Sequence, residues 1–422
     1  MYNIYQLNWK EGVYLAKLNN PFISLRHKNF RYYWFGMCIS QIGTWMQNIA
    51  QPLLAYKLTD SPFLLGLIGA LQFLPVLLFS LFAGVLIDRF PKKKILIITQ
   101  SASMLITLVL AILAFTGDIR YWHLIIMAAA LGLANTLDMP ARQSFVIELV
   151  GKEDLMNAIA LNSTVFNISR IIGPAIAGIL MEYSGAAFCF FANAISFGAV
   201  LISLFFIKPI HIKSEAVQKG KTVFQNIGEG LRYILNNEIL FTTIIIMAVV
   251  GTFAPNFSVL VPVFTSKILY INEAGFGYLM SFMGVGSLFG AIYVASLSKS
   301  GPKRFILRAV PVLVGFLLIG VAYTNTFILT GLALAVTGFF FVMFSSSSNS
   351  ALQLNTDNEY RGRVMSIYTL VFAGSTPIGN LYAGEITENF NARIGFVSCG
   401  IAIIVLMIPI LVLMRGARHF AK

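Results

Sequence analysis

Twelve apolar stretches, each long enough to cross a lipid bilayer, constrain this chain more than any other feature of its sequence. A run of about 20 apolar residues crosses the hydrocarbon as a helix. Because lipid offers the backbone no hydrogen-bond partners, such runs form helices rather than irregular chain. The predicted spans are residues 32–56, 64–87, 95–116, 121–144, 157–182, 186–207, 239–265, 275–297, 305–323, 327–347, 364–387 and 392–414. We therefore predict an all-α membrane protein with twelve transmembrane helices.

Charge is scarce and unevenly placed. Charged residues make up 11% of the chain against 57% hydrophobic residues, which is too little charge for the surface of a soluble protein of 422 residues. Of the 30 Lys and Arg residues, 25 fall in the termini and alternate loops, four in the other loops, and one, Arg170, within a span. By the positive-inside rule, this bias places both termini in the cytoplasm, in a multi-pass protein of the cell membrane. The net charge of +13 thus reflects topology, and we expect no nucleic-acid partner.

The chain repeats itself once. Three pairs of segments match in the same order, at offsets of 206 to 211 residues: GTWMQN (43–48) with GTFAPN (251–256), PKKKIL (91–96) with PKRFIL (302–307), and Gly178 and Glu182 with Gly384 and Glu388. Ordered matches at a nearly constant offset indicate two copies of a six-helix unit. An even number of spans gives both copies the same orientation, which predicts two parallel halves with a binding site between them.

These boundaries divide the chain into five segments. They are a cytoplasmic N-terminal segment (1–31), an N-terminal six-helix half (32–207), a cytoplasmic linker (208–238), a C-terminal six-helix half (239–414) and a cytoplasmic tail (415–422). The linker is polar, and its apolar residues recur at helical spacing between about 222 and 235. We expect a short amphipathic helix there.

The first span carries polar side chains on one face. The set is Ser40, Gln41, Thr44, Gln47, Asn48 and Gln51, within an arc of roughly 120° at 100° per residue. Lipid has no partners for amides, so this face lies against protein or water. Hydrogen bonding between helices is one explanation. We favour the lining of a substrate cavity, with Trp45 at its edge and Thr252 and Asn256 contributed by the matching seventh span.

Arg170 lies near the middle of the span at 157–182, with Asn167 on the same broad face. A charge at this depth is costly and is usually functional. Contact with substrate or a role in proton coupling is one interpretation. The other is a structural arginine that binds backbone carbonyls beside Pro174.

Asp138 is the second ionisable group within a span. Arg142 follows it by one helical turn, and an ion pair at this spacing is the simpler explanation. The alternative is a carboxylate that gains and loses a proton during transport. Asp138 and Arg170 are therefore the proton-coupling candidates. We rank the acids near the outer span ends, Glu182, Glu385 and Glu388, below Asp138, since solvated carboxylates are ordinary there.

Glycine, proline and one cytoplasmic turn indicate packing and conformational roles. The helix hinge and packing candidates are Gly173, Pro174, Gly178, Pro377 and Gly384. The turn between the second and third spans combines an acid with several basic residues, which exceeds what membrane topology alone requires. We interpret it as a conformational latch formed by Gly84, Asp88, Arg89, Lys92 and Lys93.

Nothing in the sequence predicts catalysis, a cofactor or a metal. The three cysteines fall singly within spans, and no histidine pairs with another ligand at a metal-binding spacing. About thirty polar and basic residues precede the first span, so we expect no cleavable signal.

The latch turn resembles the signature loop of the major facilitator superfamily, GxLaDrxGrkxxl. Pro91 replaces its second glycine, and Ser298 and Lys299 stand in the matching second loop where Asp and Arg are expected. Gly173-Pro174-x-x-x-Gly178 is similar to the exporter motif of that superfamily. Segments 139–178 and 361–384 resemble the enterobactin-exporter and drug-efflux subgroup.

This resemblance implies outward transport of a small amphipathic molecule, a drug or siderophore, by alternating access and proton antiport. A lysophospholipid flippase or an importer on the same scaffold is the alternative within transport, and a non-transporting membrane protein is the alternative outside it. We expect a small-molecule substrate, protons and the lipid bilayer as partners of a monomer.

Overall fold

The computed structural model describes residues 21–151, 153–208, 223–296, 304–357 and 359–416, and this part of the chain is almost wholly helical. The N-terminal half contains α1 (Lys28–Thr59), α2 (Pro62–Arg89), α3 (Lys92–Thr116), α4 (Tyr121–Val150), α5 (Leu155–Ser184) and α6 (Ala186–Phe206). A linker helix, α7 (Val223–Leu235), follows. The C-terminal half contains α8 (Glu238–Phe253), α9 (Phe257–Phe264), a π-helical turn (Thr265–Leu269), α10 (Glu273–Ser296), α11 (Arg304–Ala322), α12 (Phe327–Leu354), α13 (Arg361–Asn389) and α14 (Ala392–Gly416).

Ten helical segments of the described chain are long and apolar enough to cross a membrane. Two further helices, α1 and α13, are equally long but more polar, α1 because of its amides. The predicted all-α membrane fold is thus confirmed, and the helices fit the predicted twelve spans. The segments 1–20, 209–222, 297–303 and 417–422 lie outside the described residues, as do Ser298 and Lys299 of the second loop.

Local sequence signals explain several helix ends. Ser61 accepts a hydrogen bond from the amide of Leu64 at the start of α2, and proline occupies the first helical position. Asn237 caps α8 in the same way, through the amides of Ile239 and Leu240. Gly117 ends α3 with a positive φ of 79°, a conformation that glycine adopts without steric cost.

Two spans differ from their predicted form. The fourth was expected to end near residue 144, but α4 continues to Val150. The seventh was expected to be continuous over 239–265. It breaks between α8 and α9, because Pro255 has no amide hydrogen to continue the helix.

The two halves meet through a pair of equivalent contacts. The second helix of each half packs against the fifth helix of the other, so α2 lies against α13 and α10 lies against α5. We call the end of the bundle with the turns at 60–61, 185 and 270–272 the distal end. The opposite end, where the described chain begins and finishes, is the terminal end.

The predicted linker helix is present and packs at the start of α13. Glu229 forms an ion pair with Arg363 at 2.9 Å, and the Tyr233 hydroxyl donates to Asp357 at 3.0 Å. The Tyr233 ring also stacks on Tyr360, with centroids 4.4 Å apart. These contacts attach α7 to the C-terminal half.

Candidate functional site

The halves are joined at the distal end by polar contacts. Their pairs are the Lys57 and Glu273 side chains, Lys267 with Asp60 (2.9 Å), the Ser61 hydroxyl with Glu388 (2.7 Å), the amide of Phe63 with Glu388 (3.1 Å), and the Asn272 amide with Glu182 (2.6 Å). The hydrogen bond from Lys267 holds the pKa of Asp60 below its usual value. Glu182 and Glu388, which sequence reasoning treated as ordinary solvated acids, are thus contacts between halves.

Glycines bring the α5–α10 seam into close contact. A Cβ built at Gly178 would lie 3.0 Å from the Ala274 backbone, and one built at Gly277 would overlap the Pro174 carbonyl. One built at Gly284 would lie 2.8 Å from the carbonyl oxygen of Arg170. The absence of side chains lets the helix backbones approach this closely.

The α2–α13 seam is built in the same way. A Cβ at Gly384 would lie 2.8 Å from the Pro62 carbonyl, and one at Gly374 would lie 2.5 Å from Leu77. The other packing candidates lie within one half. Gly173 packs against Trp45 on α1, and Pro377 is buried in α13.

Towards the terminal end the helices of this seam separate. A Cβ added at Gly84 on α2 or at Gly362 on α13 would have no neighbour within 4 Å. Gly84 itself is exposed. The halves are therefore in contact from the distal end to about mid-depth and diverge beyond it.

The predicted latch is attached to the N-terminal half. Lys92 forms an ion pair with Glu148 of α4 at 3.5 Å, and Lys93 donates to the carbonyl of Ile207 at 2.8 Å. Arg89 is exposed. The side chain of Asp88 lies outside the described side chains, so its predicted contact stays a prediction.

The polar face of α1 divides into two rows. Gln41, Thr44, Trp45 and Asn48 are half-buried, whereas Ser40, Gln47 and Gln51 are buried. The centres of the two rows lie about 100° apart around the helix. Among the described residues, the Gln41 and Asn48 side chains make no hydrogen bond, so their amides remain free to bind another group.

The buried row differs from the cavity-lining expectation. The Gln47 carbonyl accepts hydrogen bonds from Asn193 of α6 (2.5 Å) and Thr107 of α3 (3.1 Å), and its amide donates to Gln51 at 3.2 Å. Gln47 and Gln51 thus bind helices of their own half, because the tight α1–α6 contact at Gly43 brings Asn193 within reach. The partners on α3 and α6 were missed, although Thr99, Gln100, Ser103 and Thr107 recur at helical spacing in the third span.

The matching residues of the seventh span also differ from expectation. Asn256 is fully buried, and its amide donates to the carbonyl of Thr252 at 2.9 Å. Thr252 is half-buried and donates to the carbonyl of Ala248 at 2.7 Å. Since Pro255 interrupts the helix, Asn256 turns back onto the carbonyls that the break leaves open.

Asp138 lies at the centre of a buried polar cluster. It forms an ion pair with Arg142, and its other oxygen accepts hydrogen bonds from Thr99 and Gln100, both at 2.7 Å. Arg142 also contacts the sulfur of Met37 on α1. The i, i+4 pair considered from the sequence is therefore present, and donors from α3 complete the shell of the carboxylate.

Arg170 has a different environment. Its guanidinium lies over the Trp45 ring, 5.8 Å from the centroid, and the Phe166 ring meets Trp45 edge-on at 5.6 Å. No carboxylate of the described residues pairs with Arg170. Asn167 is half-buried on the same helix and donates to the carbonyl of Ser163 at 2.8 Å. Arg170 and Trp45 thus combine a cation and an aromatic ring at the seam between the halves.

Comparison with protein families and known relatives agrees with this arrangement. A family model described as transmembrane secretion effector matches residues 19–418. The chain is 26% identical to the staphyloferrin A transporter of Staphylococcus aureus, over 89% of this chain and 93% of the relative. It is 24% identical to the multidrug efflux pump Tap of Mycolicibacterium fortuitum, over 88% of this chain and 92% of that relative.

Solved transporters share the fold at low sequence identity. The nucleoside transporter NupG superposes with a TM-score of 0.72 at 12% identity, over 94% of this chain and 99% of that protein. A bacterial homologue of the human lysosomal transporter Spinster gives a TM-score of 0.71 at 11% identity, over 92% and 95% of the two chains.

Proposed function

The chain belongs to the transmembrane secretion effector family of major facilitator transporters, and from that premise we propose that it exports a small amphipathic molecule by alternating access. It is a multi-pass membrane transporter and not an enzyme. The substrate we propose belongs to the drug or siderophore class, protons are the coupling ion, and a monomer is the working unit. Relatives named as a staphyloferrin A transporter and a multidrug efflux pump support this substrate class.

One-sided contact between the halves is the observation that carries the proposal. Polar pairs and glycine seams join the halves from the distal end to mid-depth, while Gly84 and Gly362 face open space at the terminal end. With the orientation expected from the basic loops, the terminal end is cytoplasmic and this conformation is open inwards. An exporter in this state takes substrate from the cytoplasm or the inner leaflet.

The half-buried row of α1 is the binding face that we propose. It presents the free amides of Gln41 and Asn48 beside Trp45, and Arg170 and Asn167 adjoin it from α5. Amides and an aromatic ring suit an amphipathic molecule, since they bind its polar groups and cover its apolar part. Thr252, half-buried on α8, supplies the opposite wall in this proposal.

Asp138 is the proton-coupling residue in this account. Arg142, Thr99 and Gln100 now occupy both oxygens of its carboxylate, so in this proposal Arg142 moves away when a proton binds. Because α4 contacts both α2 and α3, a movement of α4 that separates the pair also changes the packing of the half. Arg170 keeps its proton at any physiological pH and therefore contributes a fixed charge rather than a carried proton.

The latch turn acts in the opposite state in this account. Closure of the terminal end brings α13 towards α2, and Gly84 leaves room for it. Asp88 then lies near the start of α13, where a helix N-terminus favours negative charge.

Direction and coupling are tested together in membrane vesicles of defined orientation. A macrolide and a siderophore are offered to everted vesicles with an acidic interior, and both uptake and proton release are followed. We expect uptake that a protonophore stops and that Asp138→Asn abolishes, while Asp118→Asn, the same change in an exposed distal loop, leaves it intact. Accumulation in right-side-out vesicles identifies an importer, and movement of lysolipid without either drug identifies a flippase. Both outcomes contradict the proposal.

A further inference from the structure

Arg170 is a cation without a counter-charge in the described part of the protein. Six acidic side chains within and beside the spans are already bound: Asp138 to Arg142, Glu148 to Lys92, Glu182 to Asn272, Glu273 to Lys57, Glu385 to Asn389 and Glu388 to Ser61. A charge in a low-dielectric interior is costly unless it is paired and hydrogen-bonded. The site around Arg170 therefore favours the arrival of an anion.

The side chains around Arg170 also indicate the chemical character of the rest of the anionic ligand. The Trp45 ring lies over the guanidinium at 5.8 Å, and Phe166 packs edge-on against the same ring. A ring over the plane of a guanidinium leaves the N–H donors at its edge, which form a rigid fork that matches two oxygens. Phe166 is 45% exposed and is therefore open to a ligand. This group of side chains thus places a two-oxygen acceptor beside an apolar, aromatic surface.

The surroundings of Arg170 place it at the junction of the two halves. Its carbonyl abuts Gly284 of α10, and the Ser281 hydroxyl of α10 donates to the next carbonyl, that of Ile171, at 2.7 Å. Pro174 leaves the Arg170 carbonyl without its helical partner, since proline lacks an amide hydrogen. A ligand at the side chain therefore binds a residue whose backbone contacts the other half.

We propose that Arg170 binds an oxyanion of the transported molecule, so that the preferred substrate is an anionic amphiphile whose apolar body lies against Trp45 and Phe166. Gln41 and Asn48, one turn to either side of Trp45, bind further polar groups of the same molecule. This inference rests on the proposed transport function and specifies its substrate class. A carboxylate on a small substrate and the phosphate of a lysolipid present the same chemistry to the guanidinium.

The test measures binding to purified full-length protein in nanodiscs with two matched pairs of probes. One pair is 1-pyrenebutyrate and its neutral amide, and the other is lysophosphatidic acid and the monoacylglycerol of equal chain length. In at least one pair, we expect the anion to bind about tenfold or more tightly than its neutral partner. Preference within the pyrene pair identifies a carboxylate substrate, and preference confined to the lipid pair identifies a lipid phosphate.

Variants assign that preference to the side chain. Arg170→Gln abolishes it while retaining affinity for the neutral probe, and Arg170→Lys keeps part of it, because a lysine retains the charge but not the fork. Arg232→Gln, the same change on the exposed side of the linker helix, leaves the preference unchanged. A structural arginine instead predicts that Arg170→Gln lowers thermal stability without changing the ratio of affinities.

Two results overturn the proposal: equal binding of anion and neutral probe in both pairs, or a preference that survives in Arg170→Gln. Retained affinity of Arg170→Gln for the neutral probe shows that the variant is folded. Because binding in nanodiscs needs no gradient, a transport direction opposite to export refutes the proposed function while leaving this ratio intact.

Discussion

The two halves share a helix plan but place their polar groups differently. In the N-terminal half, Asp138 and Arg170 lie inside spans, and polar side chains of α1, α3 and α6 bind one another. In the C-terminal half, charged residues occur only near span ends, and Asn256 donates to the carbonyl of Thr252 across the helix break and contacts the sulfur of Cys399 on α14. We therefore assign the proposed binding and coupling chemistry to the N-terminal half, with the C-terminal half as the body against which it would move.

The same motif illustrates this contrast. GTWMQN and GTFAPN both have a threonine that donates to the carbonyl four residues earlier, Thr44 to Ser40 and Thr252 to Ala248. Proline in the second copy breaks the helix at Pro255, whereas the first copy has Gln47 at this position and stays helical. One difference in the repeated motif thus replaces a buried amide contact with a bend.

Loss of one partner of a buried charge pair gives the largest expected effect on stability. Arg142→Gln leaves the buried Asp138 carboxylate without its cation and lowers the free energy of unfolding by about 3–5 kcal/mol. Arg363→Gln breaks the ion pair with Glu229, whose carboxylate is more exposed than that of Asp138. This change costs about 1 kcal/mol or less. Thermal unfolding in detergent measures the stability of both variants. Similar losses in the two would contradict the claimed difference between the halves. Asp138→Asn combined with Arg142→Gln recovers part of the loss.

The amide network gives an intermediate effect. Gln47→Leu leaves Asn193 and Thr107 without their acceptor and costs about 1–3 kcal/mol. Asn256→Leu removes the bond to the Thr252 carbonyl and a weak contact with the Cys399 sulfur, and it costs about 1 kcal/mol. Equal losses in thermal unfolding would show that the network adds nothing beyond local bonding.

The glycine seams predict a shift in conformation rather than in folding. Gly277→Ala places a methyl group against the Pro174 carbonyl and disfavours the distally closed state by about 1–3 kcal/mol. Disulfide cross-linking between cysteines at positions 57 and 273 then falls. Gly320→Ala, which adds the same methyl group to open space on the exposed side of α11, is the matched control and leaves the cross-linking yield unchanged.

The smallest effect is a pH dependence of the distal contacts. The hydrogen bond from Lys267 lowers the pKa of Asp60, so this pair favours the closed state above the ordinary aspartate pKa and loses its effect as pH falls through the lowered value. Both side chains are more than half exposed, which limits the contribution to roughly 0.2–1 kcal/mol. The same cross-link should weaken below about pH 4, and Asp60→Asn should remove that part of the dependence. An unchanged pH profile in the variant excludes the pair as its cause.

Much of the helical fold could be predicted from the periodicity and composition of the sequence. Apolar runs located the spans, and the echo between residues 43–52 and 251–262 indicated the two halves. Helix ends were less accessible, as α4 shows, because hydropathy locates the apolar run and does not report how far the helix continues beyond it, here to Val150.

The candidate site was only partly accessible from the sequence. A helical wheel shows that the polar residues of α1 share one arc. It does not show which neighbouring helices the residues on each side of that arc contact. The division between Asn48 and Gln47 depends on where α6 packs against Gly43, a tertiary contact. Glu182 and Glu388 were undervalued for the same reason, since their partners come from the other half.

Distances across the two ends of the bundle test the account most directly. Spin labels at Asp118 and Tyr323 report the distal end, and labels at Glu153 and Glu359 report the terminal end, all four positions being exposed. Double electron–electron resonance is recorded at pH 6 and pH 8, with and without a saturating ligand. Alternating access predicts that the distal distance lengthens whenever the terminal distance shortens. Distances that stay fixed under every condition, or that change in the same direction, contradict it.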